Sequence, residues 1–134
     1  MEEKPLILVA DDNEDTRLLV SMILNKMGFQ CETAESGRAA LDRLESGLSP
    51  DLILSDVMMP EMDGYTFFQN VQKRPEWRRI PFIFFTMKDS IDDIQKGREL
   101  GVDDYLTKPI MPDALIAAVR GKLKRFKQLS ETRD

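Results

Sequence analysis

The chain has 134 residues, 42% hydrophobic and 32% charged, with a formal net charge of −5; this suits one soluble domain around one core and lacks the basic footprint of a nucleic-acid binder. Its longest apolar runs, Leu6–Ala10 and Ala114–Val119, are too short to span a bilayer, and the charged opening Met1-Glu2-Glu3-Lys4-Pro5 has no apolar segment of a secretory signal. Cys31 is the single cysteine, which rules out an internal disulfide and points to a reducing, cytoplasmic compartment.

Pro5–Ala10 reads as a buried strand, closed by Asp11-Asp12. Asn13-Glu14-Asp15 opens a helix to about Met27, in which Leu18, Leu19, Met22, Ile23 and Met27 follow helical spacing, with Gly28 as the stop. Phe29–Ala34 is a second strand; Phe29, Cys31 and Thr33 alternate with Gln30 and Glu32, which marks a wetter, edge position. Ser36 caps a second helix with Ala39, Ala40, Leu41 and Leu44 inward, ended by Gly47.

The run from Asp51 to Gly64 is central. Leu52-Ile53-Leu54 is too continuously apolar for a sheet with one wet face, and the strand it forms ends on Asp56. Pro60 and Asp63-Gly64 then mark a loop and turn. A carboxylate at the end of a buried strand stands where open α/β sheets present reactive groups. The plainer role for Asp56, capping the next helix, belongs better to Asp63, directly before the helical pattern.

The third helix runs from about Tyr65 to Lys73, with Phe67, Phe68 and Val71 toward the core and Pro75 as the stop. Trp77 reads as a loop residue with no assigned function. Ile80–Phe85 is the fourth strand, ending on Thr86, with Pro81 near its start. Asp89 or Ser90 caps a fourth helix with Ile91, Ile94 and Leu100 apolar and Gly101 as its stop. Asp104–Thr107 is a brief fifth strand running into Lys108-Pro109, and a fifth helix starts near Pro112 and reaches at least Phe126. Five strands alternating with five helices predict an α/β fold: a doubly wound, five-stranded parallel sheet with helices on both faces and right-handed crossovers. The predicted order is 2-1-3-4-5, with the site at the switch between strands one and three.

In such a sheet the C-terminal strand ends share one edge, which gathers Asp11, Asp12, Asp56, Thr86 and Lys108. Singly, the acids could cap helices, Lys108 could be a solvated strand end and Thr86 a plain β-branched residue; their joint occurrence argues for chemistry. At about 4 Å and an effective dielectric near 20, each carboxylate pair costs roughly 4 kcal/mol. One acid is therefore protonated, or a cation sits among them. With one cysteine and no histidine, the all-oxygen set favours a hard ion, Mg²⁺ first, over zinc. Such an ion draws a phosphate toward the acids, and one carboxylate is free to attack phosphorus and form an acyl phosphate. Lys108 supplies charge and Thr86 a hydrogen bond.

With Asp11-Asp12, Asp56-Val57-Met58-Met59-Pro60 followed by Asp63-Gly64, Thr86, and Asp104-Tyr105-Leu106-Thr107-Lys108-Pro109 in order, the chain resembles the receiver domain of two-component response regulators from about Leu6 to Lys127. The resemblance implies a flavodoxin-like (βα)5 fold, with residues 4–128 as the receiver domain and 129–134 as a tail or the start of a linker. It implies that Asp56 is the phosphoacceptor, and that Asp11, Asp12, Asp56 and the backbone carbonyl of Met58 hold Mg²⁺. Thr86 and Lys108 would contact the phosphoryl group, Tyr105 would turn inward as the switch aromatic, and the Lys108–Pro109 bond would be cis. The family's phosphate comes from a phosphohistidine; this chain has no histidine, so the expected donor is a separate sensor histidine kinase or histidine phosphotransfer protein. The domain would assist its own phosphorylation and dephosphorylation without being a turnover enzyme. The face of the fourth helix, fifth strand and fifth helix would pass the signal to an output domain or effector protein. Met87 replaces the small residue common after the family's Thr, and is expected to slow water's entry and lengthen the phosphoryl lifetime.

Ile116, Val119, Leu123 and Phe126 follow a 3-4-3 spacing close to a heptad seam, amid Arg120, Lys122, Lys124, Arg125 and Lys127. This is either a core-facing stripe with basic residues complementing the helix end, or a helix projecting toward a second subunit, as in a homodimer, or toward an output domain. Two other functions fit less well. A haloacid-dehalogenase-type phosphatase needs Asp-x-Asp after strand one and length for a cap domain. A flavodoxin-like FMN carrier needs a hydroxyl- and glycine-rich phosphate loop there, where Asp11-Asp12-Asn13-Glu14-Asp15 would repel phosphate.

Overall fold

The computed structural model describes residues 4–86, 95, 99, 101 and 104–131, with side chains as far as residue 124. Five strands, β1 (Leu6–Ala10), β2 (Gln30–Ala34), β3 (Leu52–Asp56), β4 (Phe82–Thr86) and β5 (Asp104–Thr107), form one sheet in the order β2-β1-β3-β4-β5. Every pairing is parallel, so all C-terminal strand ends fall on one edge. Helices α1 (Glu14–Lys26), α2 (Gly37–Glu45), α3 (Gly64–Gln72) and a C-terminal helix (Pro112–Glu131) pack around it.

Side-chain alternation explains why the central strands are apolar throughout. Leu8, Ile53, Phe82 and Phe84 point to one face, into a cluster closed by α2 and α3. Ile7, Val9, Leu52, Leu54, Ile83 and Phe85 point to the other, against α1 and the C-terminal helix. Both faces are covered, as the sequence required of a parallel sheet. Helix starts follow local chemistry: Asn13, Ser36 and Asp63 each accept an N–H from the first turn, of Thr16, Ala39 and Thr66 respectively. Asp63, and not Asp56, caps α3.

Burial refines three readings. The spacing in α1 is helical as read, but its buried face carries Val20 and Leu24, while Leu18, Leu19 and Met22 are 56%, 45% and 68% exposed. Trp77 lies in a loop as read, but is buried there: it is 7% exposed, part of the α2–α3 core cluster, with the Arg74 guanidinium 4.3 Å from its ring centroid. In the C-terminal helix the core takes up the seam's first positions, since Ile116 and Val119 are buried and Leu123 packs partly against the same cluster; the Phe126 side chain lies outside those described. Of the predicted fourth helix, Gln95 and Glu99 are helical and Gly101 has φ 90°. Asp89, Ser90, Ile91, Ile94 and Leu100 lie outside the described residues, as do Met87 and Lys88.

Candidate functional site

Each apolar strand ends on a polar residue, and the register brings those ends together. Ala10 pairs with Ser55, which sets Asp11 beside Asp56; Asp56 pairs with Phe85, and Thr86 with Thr107, which sets Thr86 and Lys108 one step beyond. The Lys108 N–H donates to the Thr86 carbonyl at 2.7 Å. Asp11, Asp56 and Thr86 are buried, Asp12 is exposed, and the Lys108–Pro109 peptide is cis.

Lys108 Nζ sits 2.9 Å from Asp11 Oδ2 and 3.1 Å from Asp56 Oδ2. One carboxylate oxygen from each of Asp11, Asp12 and Asp56 lies within 4.8 Å of the others. The Oδ1 atoms of Asp11 and Asp56 are held by backbone: the Asn13 N–H donates to Asp11 Oδ1 at 2.7 Å and the Met58 N–H to Asp56 Oδ1 at 3.2 Å. Two further side chains hold the main chain of these acids. Arg17 Nη1 donates to the Asp11 carbonyl at 2.8 Å, and the buried Ser55 hydroxyl to the Asp56 carbonyl at 2.9 Å. Gly64 completes the frame by close approach, since a Cβ there would run into the Asp56 carbonyl oxygen and lie 2.9 Å from Val57 Cα. Sequence reasoning missed Arg17, Ser55 and Gly64 as site residues; only the turn signal of Asp63-Gly64 was visible, and it marked a loop rather than a contact.

Burial raises the Asp56 carboxyl above its ordinary range, and the charge of Asp11 adds to this; Lys108 and the Met58 N–H oppose it without winning. Burial pulls Lys108 down, but the hydrogen bond to Asp11 and the charges of Asp56 and Asp11 more than offset it and hold the ammonium above its ordinary value. The site is therefore built around a positive charge it does not supply in full. Three convergent carboxylates with oxygen donors only suit a hard divalent cation. Met58 meets Asp56 through its N–H. The half-buried Tyr105 ring lies 5.7 Å from that of Phe84, centroid to centroid.

The family model for the response regulator receiver domain matches residues 7–120. The phosphate regulon transcriptional regulatory protein PhoB of Escherichia coli is 34% identical over 124 residues, 92% of this chain and 54% of that protein. Response regulator Rre1 of Synechocystis is 35% identical over 132 residues, 98% of this chain and 57% of that protein. The chain spans about half the length of the curated relatives it matches. Among solved structures, the chemotaxis protein CheY4 of Vibrio cholerae superposes with a TM-score of 0.82 at 32% identity, over 87% of this chain and 97% of that one.

Proposed function

The chain belongs to the response regulator receiver domain family, and from that premise we propose that it is the phosphoacceptor of a two-component system, with Asp56 taking the phosphoryl group from a partner's phosphohistidine. The observation that carries the reading is the meeting of three carboxylates with Lys108, whose ammonium bridges Asp11 and Asp56. An Asp56 oxygen bonds to phosphorus as the P–N bond to the donor imidazole breaks, and the imidazole nitrogen takes a proton from solvent. Asp11, Asp12, Asp56 and the Met58 carbonyl would hold Mg²⁺, which when bound supplies positive charge for the phosphoryl oxygens. Lys108 contributes a second cation, and the Thr86 hydroxyl donates to a phosphoryl oxygen.

In this reading the domain, residues 4–128, works on itself and is not a turnover enzyme. Phosphorylation of Asp56 favours one of two arrangements of Thr86 and Tyr105, and the face around β5 carries the change to an output domain or effector protein. The donor is a histidine kinase or phosphotransfer protein. The exposed Leu18, Leu19 and Met22 offer it an apolar surface on the helix that Arg17 ties to Asp11. The lone Cys31 fits a reducing compartment, so the reading sets the exchange in the cytoplasm.

Intact mass after acetyl phosphate treatment with Mg²⁺ tests this. The native protein should gain the mass of one phosphoryl group and Asp56→Asn none. Equal labelling of the two, or no labelling of the native chain, overturns the reading.

A further inference from the structure

The Met58 N–H holds Asp56 Oδ1, so the course of the loop between β3 and α3 decides how the acceptor carboxylate stands. That loop turns through a tight three-residue bend. The Met62 N–H donates to the Pro60 carbonyl at 2.7 Å, and Glu61 between them has φ 67°. Glu61 is thus a non-glycine residue in a left-handed conformation, which persists only where the surroundings enforce it.

The side chain that follows this bend is Met62. It is half-buried against the α2–α3 core cluster. Helix α2 begins with Gly37, and its missing side chain leaves a notch. Met62 Sδ and Cγ lie 3.1 and 3.3 Å from where a Cβ on Gly37 would stand. From α3, Asn70 Nδ2 donates to Sδ at 3.8 Å. Two helices and the loop therefore meet at one thioether, a group adaptable enough to fill an irregular gap.

We propose that Met62, seated against Gly37 and Asn70, is a positioning residue for the phosphoacceptor: it keeps the bend at Glu61, and through it the Met58 amide, in register with Asp56. The proposal rests on the reading of Asp56 as acceptor, but its test does not need phosphorylation. In the metal-free protein, Met62→Ala should speed hydrogen exchange of the Met58 amide about tenfold, and should weaken Mg²⁺ binding, titrated calorimetrically with the metal alone, by about tenfold, the effect of losing an outer support of a metal site. Gly37→Ala, which narrows the notch from the α2 side, should move both readouts in the same direction. A merely structural role for Met62 is separated by the double variant Glu61→Gly/Met62→Ala. Glycine removes the penalty on the bend, so Met58 protection and Mg²⁺ affinity should recover toward native values although the core contact is still gone. Met62→Ala with both readouts within twofold of native, or a double variant no better than the single one, overturns the proposal. Failure of the native chain to take phosphate, with these readouts as expected, would instead count against the acceptor reading alone.

Discussion

At the scale of single residues, the pH dependence of Asp56 has a definite sign. Its carboxyl titrates above the ordinary range in the fold because of burial and the Asp11 charge, so the folded state disfavours the ionised form. The penalty is absent in acid below the unfolded carboxylate range, grows as pH rises through it, and is complete above the raised folded value. Asp56→Asn should therefore melt higher than the native protein at neutral pH without metal. The rise should be seen in thermal denaturation and should vanish in acid. Gly64 presses the opposite way: Gly64→Ala forces a Cβ against the Asp56 carbonyl and should cost about 1–3 kcal/mol in chemical denaturation. The convergence of Asp56, Thr86 and Lys108 was legible in the sequence because each stands at the end of a strand, and strand ends converge by topology. Arg17 and Ser55 were not. Their partners are main-chain carbonyls, and any residue has one, so no residue pattern announces such a contact.

At the scale of elements, α1 marks the limit of periodicity. Leu18, Leu19 and Met22 recur at helical spacing, and so do Val20, Ile23 and Leu24; apolar residues on both sides show a helix without saying which side the sheet takes. The structure buries Val20 and Leu24. Leu24→Ala should accordingly cost about 2–5 kcal/mol. The double change Leu18→Glu/Met22→Glu should leave stability within about 0.5 kcal/mol, yet slow phosphoryl transfer from a protein donor while sparing labelling by acetyl phosphate. Equal loss with both donors would place the damage in the site rather than on the surface. The burial of Trp77, a loop residue as read, went unseen for a related reason. Its neighbours Arg74, Glu76, Arg78 and Arg79 are exposed and charged, and local composition concealed one side chain turned inward.

At the scale of the whole molecule, topology decides the charge distribution. A parallel sheet in the order β2-β1-β3-β4-β5 brings acids separated by more than forty residues to one edge; uninterrupted alternation of strands and helices made the parallel sheet legible, while the order followed from the precedent of doubly wound folds. A ligand that binds only the folded chain stabilises it by mass action. Mg²⁺ at about a hundred times its dissociation constant should add roughly 2.7 kcal/mol to unfolding, measured by urea denaturation, and Asp12→Ala should lose most of that gain while remaining folded, since Asp12 is exposed.

The connection from α3 to β4 enters the sheet at the end remote from the carboxylates, where the Ile53 N–H meets the Pro81 carbonyl at 2.9 Å, and it holds the chain's one tryptophan. Indole fluorescence should consequently report on the aromatic cluster and change most when that cluster comes apart in denaturant. The protein thus carries an optical gauge of how that cluster is packed.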